Sequence, residues 1–249
     1  MLSAYWNFLI AQTFSLWALQ FATGNLVFYK GVKVGYTRKI NHFGLFFLPI
    51  YLETIIPYEK SIEGLALKGF VVVLCMIIYI TSIRTRIPFI ARMFLSFDRP
   101  ADRPNTLLWL TTQIAAGYLI IVPAVMLFGY IDALNLVLIP ILITGIGDGL
   151  AEPVGIRFGK HRYKTYALFS DKKYERSYEG SLCVFVVSII TLVLFKSYFT
   201  PTEFIVALIT VPIIMTLTEA FSPHTWDTPT LFFMGYLNLY LIKSISFIN

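Results

Sequence analysis

The sequence has little charge for its length. Of its 249 residues, 14% are charged and 57% are hydrophobic, and the mean hydropathy is +0.72. A soluble domain carries about 25% charged residues, because its surface faces water. So low a charge excludes a soluble globular enzyme, a disordered chain and a coiled coil. The two cysteines, Cys75 and Cys183, are too few for a disulfide-stapled scaffold and both lie in apolar runs.

Several familiar catalytic motifs are also missing. The chain has no Gly-x-x-x-x-Gly-Lys-Ser/Thr sequence, so a P-loop ATPase is not supported. It has neither Gly-x-Ser-x-Gly nor His-Glu-x-x-His, which weakens the case for a hydrolase. The chemistry must therefore be inferred from the polar residues that border the apolar runs.

Those apolar runs are each close to the ~20 residues that cross a bilayer as a helix. They predict an all-α, polytopic membrane protein with cytoplasmic active-site loops, built as a single catalytic domain over residues 1–249. About eight transmembrane helices are expected. The predicted spans are 4–28, 40–57, 64–83, 106–129, 131–151, 180–199, 202–221 and 229–248.

The connections between these spans divide the basic residues unequally. Those at 30–39, 84–105, 152–179 and 222–228 hold 16 Lys and Arg residues, whereas the opposite face holds 4. Because Lys and Arg are enriched in cytoplasmic loops, the first face is predicted to be cytoplasmic. Its charge would meet anionic lipid headgroups or a polyanion such as a nucleotide. Nucleic acid is not expected as a partner, because the Lys and Arg residues are divided among loops at a bilayer surface.

The most informative polar stretch leads from the fifth span into the basic connection. Asp148 and Glu152 are four residues apart, so on a helix both carboxylates lie on one face, a spacing that suits Mg²⁺. Glycines around the two acids would let the backbone approach a phosphate, and two bases add positive charge. These residues are Gly147, Gly155, Gly159, Arg157 and Lys160. The alternative interpretation is a glycine-rich contact between helices, with two acids at the membrane edge.

A second polar group opens the sixth span. Its hydroxyls, acid and glycine would either cap the helix or form a phosphate cradle at its N-terminus, next to an Arg. The residues are Arg176, Ser177, Glu179, Gly180 and Ser181.

Two further polar clusters fall on the same predicted face. Lys39 and His42 share a side of the second span, although a lone His at a membrane boundary is more often an interfacial residue. Glu219 and Asp227 flank a connection without any Lys or Arg. Their negative charges would therefore be stabilised most by a metal ion or by a cation from another part of the chain. Together the four clusters indicate metal-assisted phosphoryl or nucleotidyl transfer to an acceptor in the lipid. A transporter or lipid-binding scaffold is the alternative, since charges in spans also mark transport pathways.

Residues 147–159 read Gly-Asp-Gly-Leu-Ala-Glu-x-x-Gly-x-Arg-Phe-Gly, and residues 176–181 read Arg-Ser-x-x-Gly-Ser. This pattern resembles the signature of the phytol kinase and dolichol kinase family, which are polytopic kinases of long-chain isoprenoid alcohols. Arg38-Lys39-x-x-His42 resembles the family's amino-terminal element. Glu219 followed by Asp227 resembles its carboxy-terminal acids.

The resemblance implies a CTP-dependent kinase that phosphorylates a lipid alcohol on the cytoplasmic or stromal face. It implies CTP and Mg²⁺ at Asp148, Glu152 and residues 155–181, with Glu219 and Asp227 as further metal ligands. Lys39, His42 or Asp227 would handle the proton of the acceptor.

The sequence departs from the family pattern in two places, and one segment lies outside it. Thr228 stands where the family often has Asn, and Arg176 where Lys is usual. Segment 98–107, Asp-Arg-Pro-Ala-Asp-Arg-Pro-Asn-Thr-Leu, has no assigned role.

A second resemblance is to phosphatidate cytidylyltransferases, which also use CTP. Phe158-Gly159-Lys160 and Glu179-Gly180 are similar to parts of their motif. The chain has no run like their long carboxy-terminal Gly-Asp, Arg, Asp, Ser signature. A cytidylyltransferase is therefore the alternative to the kinase.

Overall fold

The computed structural model describes residues 2–245, and most of them are helical. Helices α1 to α6 are Leu2–Lys30, Val34–Ile55, Ile62–Cys75, Thr81–Arg84, Pro88–Leu95 and Thr106–Tyr130. Helices α7 to α11 are Leu138–Leu142, Gly149–Phe158, Tyr178–Leu194, Pro201–Phe221 and Asp227–Ile245. One π-helical turn, Ile143–Asp148, joins α7 to α8. Strands β1, Arg162–Ala167, and β2, Ser170–Ser177, lie between α8 and α9.

Side-chain caps fix where several helices begin. The Ser61 hydroxyl accepts the Gly64 N–H at 3.0 Å before α3, and the Ser177 hydroxyl accepts the Gly180 N–H at 3.1 Å before α9. Helix α10 begins with a capping box, in which the side chains of Thr200 and Glu203 bond each other's backbone N–H groups. Each cap satisfies a backbone donor that the first helical turn leaves without an intrahelical partner.

Four helical stretches among the described residues are long and apolar enough to cross a membrane: Ile62–Tyr79, Thr106–Tyr130, Leu134–Phe158 and Pro201–Phe221. Helix α9 is apolar but shorter. The chain is thus an integral membrane protein. Every predicted span overlaps helical structure, but the count of eight is not confirmed. Residues 246–248 of the last predicted span lie outside the described residues.

The prediction of an all-α chain is wrong for residues 162–177, which form an antiparallel hairpin of β1 and β2. Exposed Lys164 and Tyr166 alternate along β1 with buried Thr165 and Ala167, the period of two that a strand requires. Phe169, with φ of 59°, makes the turn. The basic residues of this stretch suggested a solvated connection, and they concealed the alternation of β-branched and aromatic residues.

The described residues group into two compact units, Met1–Ala115 and Ala116–Asn249. That the chain is a single catalytic domain stays a prediction. In the first unit, α1 packs against α2 and α5, and a buried cluster includes Tyr79, Met93 and Phe97. In the second, α9 packs against the π-helical turn, α8 and α10, and α10 packs against α11.

The unassigned segment 98–107 folds into a local turn in the first unit. The Arg103 Nε lies 2.8 Å from an Asp98 oxygen, and the Arg99 Nε lies 2.8 Å from an Asp102 oxygen. The Thr106 hydroxyl donates to the other Asp98 oxygen at 2.8 Å and joins this turn to the start of α6. These bonds give the segment a structural role at the start of a candidate membrane span.

Candidate active site

The π-helical turn delivers Asp148 to the interior of the second unit. Asp148 is the last residue of this turn and is 3% exposed. Glu152 lies one turn later on α8 and is half-buried. A π-helical turn widens the backbone and is frequent at functional sites, where it re-aims side chains. The predicted pair of acids therefore starts from an unusual and buried stretch of backbone.

Arg176, on the inner face of the hairpin, meets carboxylates from two other elements. Its Nη1 donates to the Glu219 Oε1 at 2.9 Å and also to the Glu219 backbone carbonyl. Its Nη2 lies 3.5 Å from an Asp227 oxygen. We call Arg176, Glu219, Asp227 and the nearby Asp148 the Arg176 cluster. Glu219 and Asp227 flank a connection without any Lys or Arg, and the sequence predicted that a metal or a cation from another segment would balance their charge. Arg176 is such a cation.

Three carboxylates keep the Arg176 guanidinium charged. Burial lowers the pKa of Arg176, but the charges of Asp227, Glu219 and Asp148 outweigh it, so that the pKa is raised. The side chains of Arg176 and Glu219 are 11% and 5% exposed. Charges this deeply buried require partners, and the cluster supplies them across β2, α10, α11 and the π-helical turn.

A hydroxyl chain reaches the same cluster from the other strand. The Tyr163 hydroxyl lies 2.7 Å from the Ser181 hydroxyl, which donates to the Glu219 Oε2 at 2.7 Å. Since Ser181 gives its single hydrogen to Glu219, Tyr163 is the donor to Ser181. Burial raises the pKa of Tyr163, and the charge of Glu219 raises it further, so the phenol keeps its proton. Tyr163 was not among the residues predicted from the sequence, although its place in the alternating β1 pattern marks it as inward-facing.

The predicted glycines pack against protein neighbours. A Cβ on Gly155 would come 2.8 Å from the Ser177 hydroxyl, and one on Gly159 would come 2.8 Å from the Ser177 Cβ. A Cβ on Gly180 would come 2.6 Å from the Ala151 carbonyl. These glycines let α8 and α9 approach closely around the cap of α9. The interpretation as a contact between helices therefore explains part of the pattern.

Of the remaining predicted residues on the connection, two are exposed and Glu179 is half-buried. Arg157 and Lys160 face solvent, with the Arg157 guanidinium 5.6 Å from the Phe158 ring centre. Glu179 accepts from His161, whose Nδ1 lies 2.9 Å away. Arg157 and Lys160 are thus accessible to an anion, whereas Glu179 contacts His161, the residue before β1.

Lys39 and His42 belong to the first unit. Lys39 is 4% exposed on α2, and the His42 ring lies 4.8 Å from that of Phe46. Asn41, between them, donates to the Ser96 hydroxyl at 2.8 Å. Their part in a site with Asp148 stays a prediction.

The carboxylates fit a metal ion in part. Within residues 2–245, no group of three or more His, Cys, Asp or Glu side chains is arranged to hold a metal ion. Both oxygens of Glu219 accept hydrogen bonds from the protein, and Asp227 contacts Arg176. Asp148 and Glu152 offer hard oxygens at the expected spacing. This suits Mg²⁺, which commonly binds one or two carboxylates and completes its shell with phosphates and water.

Comparison with known proteins finds a partial likeness. A stretch of 60 residues is 40% identical to a phytol kinase of Synechocystis sp.. The match covers 24% of this chain and 23% of that kinase, less than a quarter of the relative's length. No family model matches the chain, and no solved structure matches it. The likeness supports a phytol kinase-like family at most.

Proposed function

We propose that this chain is a CTP-dependent kinase that phosphorylates an isoprenoid or other lipid alcohol. The observation that carries the proposal is the Arg176 cluster, which gathers buried acids and a guanidinium at the ends of apolar helices. Such an arrangement suits phosphoryl transfer, where positioning and charge stabilisation supply most of the catalysis. The partial likeness to a phytol kinase supports the same class of reaction.

In this proposal, Asp148 and Glu152 bind Mg²⁺ together with the triphosphate of CTP. Bound there, Mg²⁺ would neutralise charge on the phosphates as the γ-phosphoryl group leaves. Exposed Arg157 and Lys160 would attract the triphosphate from solvent. Arg176 would balance the buried acids.

The acceptor would approach from the bilayer, with its hydroxyl at the membrane surface. Its oxygen forms the new bond to the γ-phosphorus, the bond to the β-phosphate oxygen breaks, and CDP leaves. Lys39, His42 or Asp227 takes the hydroxyl proton, and the general base is the group whose geometry reaches the acceptor.

The proposal also includes the orientation of the chain. The concentration of 16 of its 20 Lys and Arg residues on one set of connections supports a cytoplasmic or stromal location for those connections. The chain would then cross the membrane about eight times as one catalytic domain. Membrane lipids surround it in this arrangement, and nucleic acid is not a partner.

The test uses full-length protein in detergent with Mg²⁺ and CTP labelled at the γ-phosphate. Phytol, a farnesol-type alcohol, a dolichol-type alcohol, diacylglycerol and phosphatidate are supplied separately. We expect label in an organic-soluble product with at least one alcohol, and the product identifies the acceptor. Pyrophosphate released only with phosphatidate would instead establish a cytidylyltransferase, and no transfer with any acceptor would contradict both activities.

A further inference from the structure

Both strands of the hairpin are linked to the Glu219 carboxylate, one directly and the other through a hydroxyl group. Tyr163 and Arg176 are directly paired across β1 and β2, so their side chains share one face of the hairpin. Arg176 donates to one oxygen of Glu219, and Tyr163 reaches the other through the Ser181 hydroxyl. The donor–acceptor distances of these three hydrogen bonds lie between 2.7 and 2.9 Å.

This network leaves Glu219 with little capacity for a metal. Its side chain is 5% exposed, and each oxygen already accepts a hydrogen bond from the protein. A Mg²⁺ ion bound to Glu219 would lie next to the Arg176 guanidinium, which already contacts one of its oxygens at 2.9 Å, and the two cations would repel each other. A buried polar network whose members are satisfied makes the surrounding structure rigid instead.

We propose that Glu219 and Tyr163 are positioning residues, which fix Arg176 beside Asp227 and Asp148, and that Glu219 does not ligate the metal. This inference rests on the proposed function and differs from the expectation, drawn from the family resemblance, that Glu219 is a metal ligand. The contact from Arg176 to Glu219, at 2.9 Å, is shorter than that to Asp227, at 3.5 Å. Glu219 therefore anchors the guanidinium, while Asp227 sets the direction in which its second nitrogen points.

The first test measures the rigidity of the hairpin and needs no enzymatic activity. Trypsin cleavage after exposed Lys172 or Lys173, near the turn, is followed by mass spectrometry in the full-length protein. Loss of a buried hydrogen bond is worth about a factor of five to ten in local opening. We expect Tyr163→Phe to accelerate cleavage about fivefold and Glu219→Gln about tenfold.

The matched control for this test is Glu175→Gln. Glu175 lies on the same hairpin, but its ion pair with Arg162 at 3.0 Å is exposed on both sides. We expect this variant to be cleaved at a rate within about twofold of the wild type, because exposed ion pairs contribute little. Wild-type cleavage rates in Tyr163→Phe and Glu219→Gln would overturn the proposal.

The second test separates positioning from metal ligation. Turnover is measured at varied CTP and at varied Mg²⁺ for the wild type and Glu219→Gln. Positioning predicts a KM for CTP raised about tenfold and a Mg²⁺ requirement that is unchanged. A Mg²⁺ requirement raised about tenfold or more, with an unchanged KM for CTP, would assign Glu219 to the metal and contradict the inference.

The cleavage test does not depend on the proposed function, whereas the turnover test does. A wild type that transfers no phosphate from CTP would refute the proposed function. The cleavage rates would still decide whether Glu219 and Tyr163 order the hairpin.

Discussion

The two units each contain a group of ion pairs, but they differ in how far apart the partners lie along the chain. In segment 98–107 of the first unit, Arg103 pairs with Asp98 and Arg99 pairs with Asp102, so the partners in this segment are at most five positions apart. In the Arg176 cluster, the guanidinium meets an acid 43 positions further along. The local pairs shape one turn, whereas the distant ones connect a hairpin to two helices.

This difference indicates where to look for chemistry. Close pairs along the chain form whenever a turn brings them together, and they need no further purpose. A buried cluster whose members come from four elements depends on the whole unit being folded. It also costs desolvation free energy that a well-packed apolar group would avoid. The Arg176 cluster is therefore the better candidate for a function, and substitutions should affect the two groups unequally.

The largest effect is expected at Asp148. Asp148→Asn keeps the shape of the side chain but removes a charge proposed to bind the metal and the phosphates. We expect a loss of turnover of about 100-fold or more, as for removal of one group that stabilises a transition state. The measurement is transfer of the γ-phosphate of CTP at saturating Mg²⁺, after confirming normal membrane insertion.

Asp132→Asn is the control for Asp148. Asp132 is exposed and has a φ of 54°, a conformation that Asn also tolerates. Its activity should match the wild type. Equal activity of Asp148→Asn and the wild type would contradict the metal assignment.

The next effect concerns stability. Arg176→Met leaves buried carboxylates facing each other without their cation. Breaking a buried pair by removing one partner costs about 3–5 kcal/mol, and we expect a loss of this size in the free energy of unfolding. Thermal unfolding in detergent, followed by circular dichroism, measures it. A change below about 1 kcal/mol, as for an exposed ion pair, would show that the Arg176 cluster does not stabilise the fold.

A smaller loss is expected from the close approach of α8 and α9. Gly180→Ala would place a Cβ 2.6 Å from the Ala151 carbonyl, so the helices must shift. Overpacking of this kind costs about 1–3 kcal/mol. Gly129→Ala is the matched control, because nothing lies within 4 Å of the position of its Cβ. Equal unfolding temperatures of these two variants would argue against the close contact.

The smallest effect belongs to the first unit. The Arg103 side chain is 53% exposed in its pair with Asp98. Water can replace the half-exposed guanidinium, and the buried Asp98 keeps its hydrogen bond from Thr106. We therefore expect Arg103→Met to change the free energy of unfolding by less than about 1 kcal/mol. The same thermal unfolding assay checks this. A loss as large as that from Arg176→Met would remove the distinction between local and distant pairs.

Much of the helical structure was predictable, because apolar runs and caps are local signals. The spacing of Asp148 and Glu152 was equally visible, although the π-helical turn before them was not. The contact between Arg176 and Glu219 was hidden, since pairing over such a distance depends on how the hairpin docks. The strands were hard to recognise because Lys and Arg residues interrupt their alternation of buried and exposed positions. The inward position of Tyr163 was hidden for the same reason.

The membrane spans were also predictable only in part. Apolar composition located helices at every predicted span, but length and hydropathy support four of them as candidate membrane spans among residues 2–245. Segments such as α2, with Pro49 and Glu53, combine helical geometry with polar residues. Composition alone does not decide whether such a helix crosses the bilayer or packs at its surface.

We propose that a phosphoryl group passes from CTP to a lipid alcohol at Asp148. Two parallel reactions test it most directly, one with CTP labelled at the α-phosphate and one at the γ-phosphate, each with the same lipid alcohol. We expect that only the γ-label enters the lipid, and that Asp148→Asn abolishes this transfer. Entry of the α-label, or γ-transfer that survives in Asp148→Asn, would contradict it.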